Sequence, residues 1–394
     1  MATASKRETV SDARPEVALL LCCARTHLDD ETAVRAKAYF QQTLRWDDLL
    51  KMALRHKVMP LLYRQLKTNF NESVPAEFME RLRDYFYLNA ARNHLLTEEL
   101  CEVLELFEGN GIRAVPYKGA ALAKSVYGDI AFRQFSDLDI FIHREDVAKA
   151  SRLLHLRDYR KERQLTNAQE TVFTKIECEH LFIRKQGRIF LDLHWGFAPA
   201  YFPFKLDSEN MWRRLRSIPL GNIDARSFAP EDLLLILCVN AGKESWRQLS
   251  GLCDIAELIR ANPKLDWEMI MRQAELIGVR RMLLVSLLLA GDLLGAELPE
   301  QIIQTIAAER AAHSLTMKIK RELFRNERES SSVSHLLKPA KALDGLPDKI
   351  KFHLRLALTP TMEDWTFIRL PERFRFLYYL TRPVRLAKKY VLHR

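Results

Sequence analysis

Two aspartates lie close together at the start of an apolar segment. Asp137 and Asp139 are two positions apart, and an apolar run at residues 140–142 follows at once. That run predicts a buried strand, and side chains two residues apart in a strand point to the same face. Two carboxylates on one face supply the hard oxygen ligands that suit Mg²⁺, or Mn²⁺ in its place. Because the two negative charges would otherwise repel each other, a metal ion or basic neighbours must compensate them.

A glycine turn upstream of the aspartates could bind phosphate. Lys118 and Gly119 end a strand-like segment at residues 112–117 and open a predicted helix. The first backbone N–H groups of a helix have no acceptor within the helix, so they and the Lys118 ammonium could hold a triphosphate. A lysine at a solvated turn is the alternative.

A predicted hairpin at residues 179–195 carries further candidates. Asp192 is a candidate third carboxylate; Glu179 on the other strand is its competitor, and an ion pair with a nearby arginine is the structural alternative. His194 shares the face of Asp192, so it could orient an acceptor or act as a base, and the same roles are considered for His180. A glycine turn followed by two carboxylate-bearing strands is the layout of a two-metal phosphoryl-transfer site.

Four short motifs connect the chain with a known family. They are K-G at residues 118–119, Y-G-D at 127–129, R-x-x-S-D-x-D at 133–139 and D-x-H-W at 192–195. With these motifs the chain resembles the bacterial branch of uncharacterised nucleotidyltransferase family proteins, within the DNA polymerase β-like superfamily. The likeness covers most of the chain, at residues 17–389, and includes the segments 56–63, 246–259, 265–270 and 356–365.

The resemblance implies a fold class and a reaction. The fold would be α+β, a polymerase β-like palm with a mixed sheet and helices, flanked by N-terminal and C-terminal all-helical regions. The reaction would transfer a nucleoside monophosphate from an NTP, with ATP favoured, to a hydroxyl of a small-molecule or protein acceptor. In the two-metal mechanism Asp137 and Asp139 would bridge both ions, and Asp192 would bind the ion on the acceptor side. The predicted nucleotide contacts are Lys118, Gly119, Arg133, Ser136, Lys243 and Trp246, and the predicted acceptor-side residues are His194 and His180.

Two departures from the family pattern bear on this site. The wider superfamily has serine after the glycine of the turn, where this chain has Ala120. Phosphate binding would then depend on backbone N–H groups, the lysine of the turn and either Ser136 or Arg133. Arg133 has the alternative role of neutralising the carboxylates. The branch also often carries histidines where this chain has Asn240 and Glu244.

Three residues of the helical segment that follows the palm match the family pattern. Lys243 and Trp246 are three apart, which predicts that they face the same side of one helix. Trp246 could stack on the nucleobase, and a place in the hydrophobic core is the alternative. Asp254 is expected to cap or brace the structure rather than to take part in catalysis.

Periodicity and composition divide the chain into four regions. Residues 15–107 predict an N-terminal helical region, 108–225 the palm, 226–330 a helical domain that packs on the palm, and 331–394 a basic and aromatic C-terminal region. The polar run at residues 327–335 predicts a surface loop.

Several local signals predict where helices begin and end. Pro60 interrupts the helical pattern at residues 44–66, and residues 78–107 predict one long helix or two. Ser227 predicts the start of the next helical region, and Pro263 predicts the end of the helix before it.

The composition favours a helical, cytoplasmic enzyme without disulfides. Only 13 of the 394 residues are glycine and 48% are hydrophobic, so we expect helices with sizeable buried cores. The six cysteines form no C-x-x-C pair and lie in apolar segments, which predicts buried free thiols in a reducing compartment. No apolar run reaches the roughly 20 residues of a spanning helix.

The C-terminal region is strongly basic. Residues 366–394 contain eight lysines and arginines against one acid, a net charge of +7 out of +10 for the chain. Aromatic residues are interleaved with them, so RNA, an anionic lipid surface or an acidic partner could bind there. A basic helix packed at the domain edge is the alternative. The basic region therefore favours an RNA-directed nucleotidyltransferase as an alternative function. A catalytically inactive nucleotide-binding or assembly protein is a second alternative, favoured by Ala120 in place of serine and by the open choice of the third carboxylate.

Overall fold

The structure is a computed structural model that describes residues 14–184, 187–206, 208–325 and 338–359, together with Asp364, Arg382 and Arg385. Helices occupy the part that precedes the sheet. The predicted break at Pro60 separates two of them, because a proline in the first turn of a helix loses no hydrogen bond there. The pattern at residues 78–107 forms one continuous helix. These helices are α1 (Pro15–Cys23), α2 (Asp30–Tyr39), α3 (Trp46–Arg55), α4 (Met59–Asn69) and α5 (Ala76–Gly109).

A five-stranded mixed sheet follows. Its strands are β1 (Ala114–Pro116), β2 (Asp137–Ile142), β3 (Arg160–Lys161), β4 (Glu179–Arg184) and β5 (Ile189–His194), in the order β1-β2-β5-β4-β3. β2 and β5 are parallel, and the other neighbouring pairs are antiparallel. The predicted hairpin is therefore present; its turn includes Gly187, whose φ of +85° suits glycine, whereas Gln186 lies outside the described residues.

Short helices connect the strands. They are α6 (Gly119–Leu122), which continues as a π-helical turn at Ala123–Tyr127, α7 (Val147–Leu156) and α8 (Asn167–Ile176). One face of the sheet packs against α5 and α7, with Ile140 and Leu193 from the strands and Leu154 from α7 in the same buried cluster. The opposite face carries the carboxylates described below.

A short helix and a two-stranded hairpin come directly after the sheet, namely α9 (Ser208–Arg213), β6 (Arg216–Leu220) and β7 (Ile223–Ser227). Helices dominate the described residues from there on. Buried side chains of these later helices share one hydrophobic cluster with α1, α3 and α4, for example Leu234 and Leu287 with Leu20 and Leu62. The later helices are α10 (Pro230–Lys243), α11 (Leu249–Ala261), α12 (Trp267–Ile277), α13 (Arg280–Leu294), α14 (Glu300–Ala308), α15 (Arg310–Leu323) and α16 (Leu346–Leu358).

One predicted helix start is wrong. Ser227 is the last residue of β7, and α10 begins at Pro230, whose fixed φ favours the first helical turn without a side-chain cap. The predicted end is confirmed, because α11 ends at Ala261, just before Pro263. All six cysteines are buried free thiols, as expected. Among the described residues, no helix combines the length and the apolar character needed to cross a bilayer.

The predicted surface loop at residues 327–335 lies outside the described residues, and so does most of the basic C-terminal region. Of the basic residues at positions 366–394, Arg382 and Arg385 are described. Both are buried and pair with the carboxylate of Asp364. The division into four regions stays a prediction.

Candidate active site

The register of two parallel strands brings the predicted carboxylates together. In the β2–β5 pair, Asp139 lies directly opposite Asp192, and Phe141 lies opposite His194. Since partners in register point to the same face and the alternation has a period of two, Asp137, Asp139, Asp192 and His194 share one face of the sheet. Asp137 and Asp139 open onto a cleft between the sheet and the helical regions.

Asp139, Asp192 and His194 have the spacing of a metal site. One possible ligand atom from each lies within 4.8 Å of the other two. In the structure His194 Nε2 is 3.1 Å from Asp139 Oδ1, and its Nδ1 is 3.0 Å from Glu179 Oε2. Burial opposes the charged imidazolium, but these hydrogen bonds with Asp139 and Glu179 raise the pKa of His194 to about 9. Each ring nitrogen of His194 therefore contacts a carboxylate.

Asp139 is the buried centre of the cluster. Burial alone would favour its neutral form, but Lys118 and His194 hold the pKa of its carboxyl well below the usual range. The Lys118 ammonium lies 3.4 Å from Asp139 Oδ1. Burial also opposes the charge on Lys118, yet Asp139 raises the pKa of the lysine well above its ordinary value. Asp139 is thus ionised and balanced by two cations.

Asp137 and Asp192 are not balanced in this way. Within the described part of the chain, no side chain donates a hydrogen bond to either carboxylate. Burial raises the pKa of Asp192 to about 7, against the opposing charge of His194. Burial and the charge of Asp139 raise the pKa of Asp137, and Lys118, Arg133 and Lys57 oppose the rise. Two carboxylates without donors beside a third therefore fit a divalent cation, which would supply the missing positive charge.

Gly119 forms the turn that leads from β1 into α6. Its φ of +49° lies in the left-handed region, which glycine adopts without steric cost. A Cβ at this position would lie 3.4 Å from the Asp137 carbonyl oxygen, so the glycine also allows the turn to approach β2 closely. Lys118 is thereby held next to the carboxylates, and its contact with phosphate stays a prediction.

Arg133 is held by a residue of the helical region. Its Nε and one terminal nitrogen donate to the two oxygens of Asp254 on α11, each at 2.9 Å. The Tyr127 hydroxyl donates to the same carboxylate at 2.6 Å. The structure thus shows Asp254 as a brace between the segment before β2 and α11, which is one of the two structural roles expected for it.

Comparison with known proteins identifies the family. Residues 42–295 match the family described as "Uncharacterised nucleotidyltransferase", which is more than half of the chain. The chain belongs to this family. Its fold is accordingly an α+β nucleotidyltransferase fold with a mixed five-stranded sheet and helical flanks. A comparison with curated proteins gave no match.

One solved structure is similar over a large part of its own length. It is the crystal structure of an antigenic nucleotidyltransferase-like protein from Paracoccidioides brasiliensis, with 15% sequence identity and a TM-score of 0.30. The similarity covers 54% of this chain and 96% of that chain. At this TM-score the likeness carries no argument about the site.

Lys243 and Trp246 do not have the arrangement that their spacing predicts. α10 ends at Lys243, so Lys243 and Trp246 do not share a helix face. The chain turns because Ser245 and Trp246 both have left-handed φ angles, +57° and +51°. Lys243 Nζ donates to the Phe197 carbonyl at 2.6 Å.

Trp246 lies in the hydrophobic core, which is the alternative considered for it. The residue borders the cleft, but its side chain is 3% exposed, and its indole N–H donates to Ser286 Oγ at 2.8 Å. Its contact with a nucleobase stays a prediction.

His180 is not brought together with the carboxylates. It lies opposite Leu193 in the β4–β5 pair, so it points to the other face of the sheet from His194. There it contacts Glu170 at 2.6 Å and stacks on Phe173. Ser136 is half-buried just before β2, and its backbone carbonyl accepts a hydrogen bond from Arg92.

The cleft also contains residues that were not predicted as site residues. Lys57 borders it from the α3–α4 connection, and Glu244, Arg247 and Gln248 border it from the segment between α10 and α11. The family likeness at residues 56–63 covers Lys57, but nothing in the sequence marks this lysine as a site residue.

Proposed function

We propose that this protein transfers a nucleoside monophosphate from an NTP to a hydroxyl of a small-molecule or protein acceptor. The observation that supports this most strongly is the register of β2 and β5, which sets Asp192 beside Asp139 on the face that Asp137 shares. Family membership supports the reaction class, and ATP is the first NTP to test.

The three aspartates divide into two roles in this proposal. Asp137 and Asp139 would hold both divalent ions, Mg²⁺ or Mn²⁺, and Asp192 would hold the ion on the acceptor side. Bound there, the ions would lower the pKa of the acceptor hydroxyl and neutralise charge on the phosphates. The geometry favours Asp192 over Glu179 as third ligand, because the Glu179 carboxylate contacts Nδ1 of His194 at 3.0 Å.

The cationic residues of the site have supporting roles. Lys118 and the backbone N–H groups after Gly119 would bind the triphosphate, since a lysine is a point charge suited to a phosphate oxygen. His194, whose two ring nitrogens contact Asp139 and Glu179, would orient Asp139 through its 3.1 Å contact. Arg133, which is committed to Asp254, would fix the segment before β2 rather than bind phosphate directly.

In the proposed reaction the acceptor oxygen forms a bond to the α-phosphorus while the bond from that phosphorus to pyrophosphate breaks, and the proton of the acceptor hydroxyl is released to water. The test is incubation of the full chain with each α-labelled NTP, Mg²⁺ and fractionated cell extract, with label transfer and pyrophosphate release as readouts. We expect both signals for the wild type and for the exposed control Asp224→Asn, and neither for Asp137→Asn/Asp139→Asn. Equal signals from the double variant would contradict the proposal.

A further inference from the structure

Lys57 is a cation of the cleft that comes from outside the palm. It lies in the connection between α3 and α4, yet it borders the same cleft as Lys118, Asp137 and Asp139. Its side chain is exposed, and within the described part of the chain nothing accepts a hydrogen bond or an ion pair from its ammonium. Its positive charge acts on the Asp137 carboxylate. Lys57 is thus available to a ligand that enters the cleft.

The backbone at Lys57 is one that glycine usually occupies. The Lys57 N–H donates to the Leu54 carbonyl at 3.1 Å, and the Val58 N–H donates to the Ala53 carbonyl at 2.9 Å. These two bonds form a Schellman motif at the end of α3, with Lys57 at the left-handed position and a φ of +55°. A side chain with a Cβ is disfavoured there, so the fold alone gives no reason for a lysine.

Non-glycine residues with left-handed φ angles are concentrated at the cleft. Among the described residues, four that are not glycine have positive φ, namely Lys57, Asp158, Ser245 and Trp246. Lys57 and Trp246 border the cleft, and Ser245 is adjacent to Trp246. Asp158 ends α7 with the same pair of hydrogen bonds but is exposed and does not border the cleft. Strained backbone retained next to a cleft is typical of ligand-binding positions.

The position of Lys57 is fixed by its neighbour. The Ser250 N–H donates to the His56 carbonyl at 3.1 Å, and the Leu249 N–H donates to His56 Nδ1 at 3.3 Å. These bonds tie the end of α3 to the start of α11, which itself borders the cleft through Ser250 and Gly251. Lys57 is therefore presented from a rigid junction, and little ordering is needed when it binds a ligand.

We propose that Lys57 binds the polyphosphate of the nucleotide substrate, so that the helical region and the palm share the triphosphate between Lys57 and Lys118. This inference rests on the proposed function and deepens it. A lysine from outside the palm that contacts phosphates beyond the α-phosphate makes the site selective for nucleoside triphosphates over monophosphates. The charge also balances part of the negative charge that a triphosphate brings toward Asp137 and Asp139.

The test is calorimetric titration of the full chain, in Mg²⁺, with ATP, GTP, CTP and UTP and with the four corresponding monophosphates. Lys57→Asn removes the charge and keeps a residue that tolerates the left-handed conformation. We expect it to weaken NTP binding about tenfold or more, the usual cost of losing a charge-assisted hydrogen bond, and to change NMP binding less than about twofold. Lys57→Arg should stay within about threefold of the wild type for both ligands, since it keeps the charge.

Two control variants separate charge and backbone effects from the proposed contact. Lys51→Gln removes an exposed charge from α3 away from the cleft, and Asp158→Asn changes the matching left-handed position of α7. Both should bind the NTP as the wild type does, and Lys57→Asn should keep the wild-type Tm or exceed it. Unchanged NTP binding by Lys57→Asn, or an equal loss for NTP and NMP, would overturn this inference alone. A wild type that binds no NTP would overturn the proposed function and this inference with it.

Discussion

Asp139 in the palm and Asp254 at the junction with α11 are both buried carboxylates next to a cation, but their surroundings differ. Asp254 receives two hydrogen bonds from Arg133 and one from Tyr127, so its negative charge is fully compensated by the protein. Asp139 is also compensated, by Lys118 and His194. Beside Asp139, however, stand Asp137 and Asp192, which have no donor among the described residues.

This difference distinguishes a structural ion pair from a ligand site. At the junction the charges cancel without any ligand, which is what a brace requires. In the palm a net negative charge remains on one face of the sheet, and burial raises the pKa values of Asp137 and Asp192. Perturbed carboxylates at the edge of a cleft mark a functional site more often than a structural one. The two regions should therefore respond in opposite ways to the loss of a carboxylate.

The largest expected effect is at the junction. Asp254→Asn leaves the partly buried guanidinium of Arg133 without its charged partner, the buried Asp254 carboxylate, so we expect the free energy of unfolding to fall by about 3–5 kcal/mol. Chemical denaturation measures it. The control is Asp292→Asn, which removes an exposed partner of Lys320 and should cost less than about 1 kcal/mol. A loss below 1 kcal/mol in Asp254→Asn would show that the junction is not a brace.

The junction between α3 and α11 should make stability depend on pH. Burial lowers the pKa of His56 from its usual 6.5 to about 4, with Arg55 adding to the effect. Between pH 6.5 and pH 4 the His56 imidazole therefore binds a proton in the unfolded chain but not in the folded chain. Stability should fall as the pH drops through this window, by up to about 3 kcal/mol from this group.

The variant His56→Asn isolates that contribution. Its side-chain oxygen can still accept the hydrogen bond from the Leu249 N–H, but it does not titrate. Denaturation curves at several pH values between 7 and 4 should be less pH-dependent for the variant than for the wild type. Parallel curves for the two proteins would refute the assignment of this pH dependence to His56.

Loss of a carboxylate in the palm should change the free energy of unfolding in the opposite direction. Asp192→Asn removes a partly buried negative charge that lacks a donor, so we expect the metal-free protein to become more stable by about 1–2 kcal/mol. Activity with Mg²⁺ and an NTP should nevertheless fall by a factor of about 100 or more. Asp224→Asn, on an exposed part of β7, is the control for both readouts. A destabilised Asp192→Asn protein would mean that Asp192 is a structural residue.

The smallest effect concerns the tryptophan that borders the cleft. Trp246→Phe removes the hydrogen bond to Ser286 and should cost about 1 kcal/mol of stability. Ser286→Ala should cost a similar amount, and the double variant little more than either single one, as a double-mutant cycle would show. Strictly additive losses would contradict the contribution of this hydrogen bond.

The sequence predicted the residues of the palm better than their partners. Asp137, Asp139 and Asp192 follow from the alternation of short apolar strands, which is a local property. Arg133 and Asp254 are 121 positions apart, and no local pattern shows that they pair. The position of Lys57 in the cleft likewise depends on how the end of α3 packs against α11.

Two other deviations have identifiable physical causes. His180 and His194 are both predicted on the acceptor side of the site. The face of the sheet to which each histidine points depends on the register of the hairpin, and a shift of one residue exchanges the two faces. Trp246 was placed on the helix of Lys243 from spacing alone. Left-handed φ angles at Ser245 and Trp246 end that helix, and neither residue is of the type that usually adopts them.

The most direct test of the account is calorimetric titration of nucleotide into the full chain, with and without Mg²⁺, for the wild type, Asp137→Asn/Asp139→Asn and Asp224→Asn. We expect binding that requires Mg²⁺, that is lost in the double variant and that is retained in Asp224→Asn. Binding of equal strength in the wild type and the double variant, or binding indifferent to Mg²⁺, would contradict the claim that the palm carboxylates hold the metal ions of a nucleotidyltransferase site.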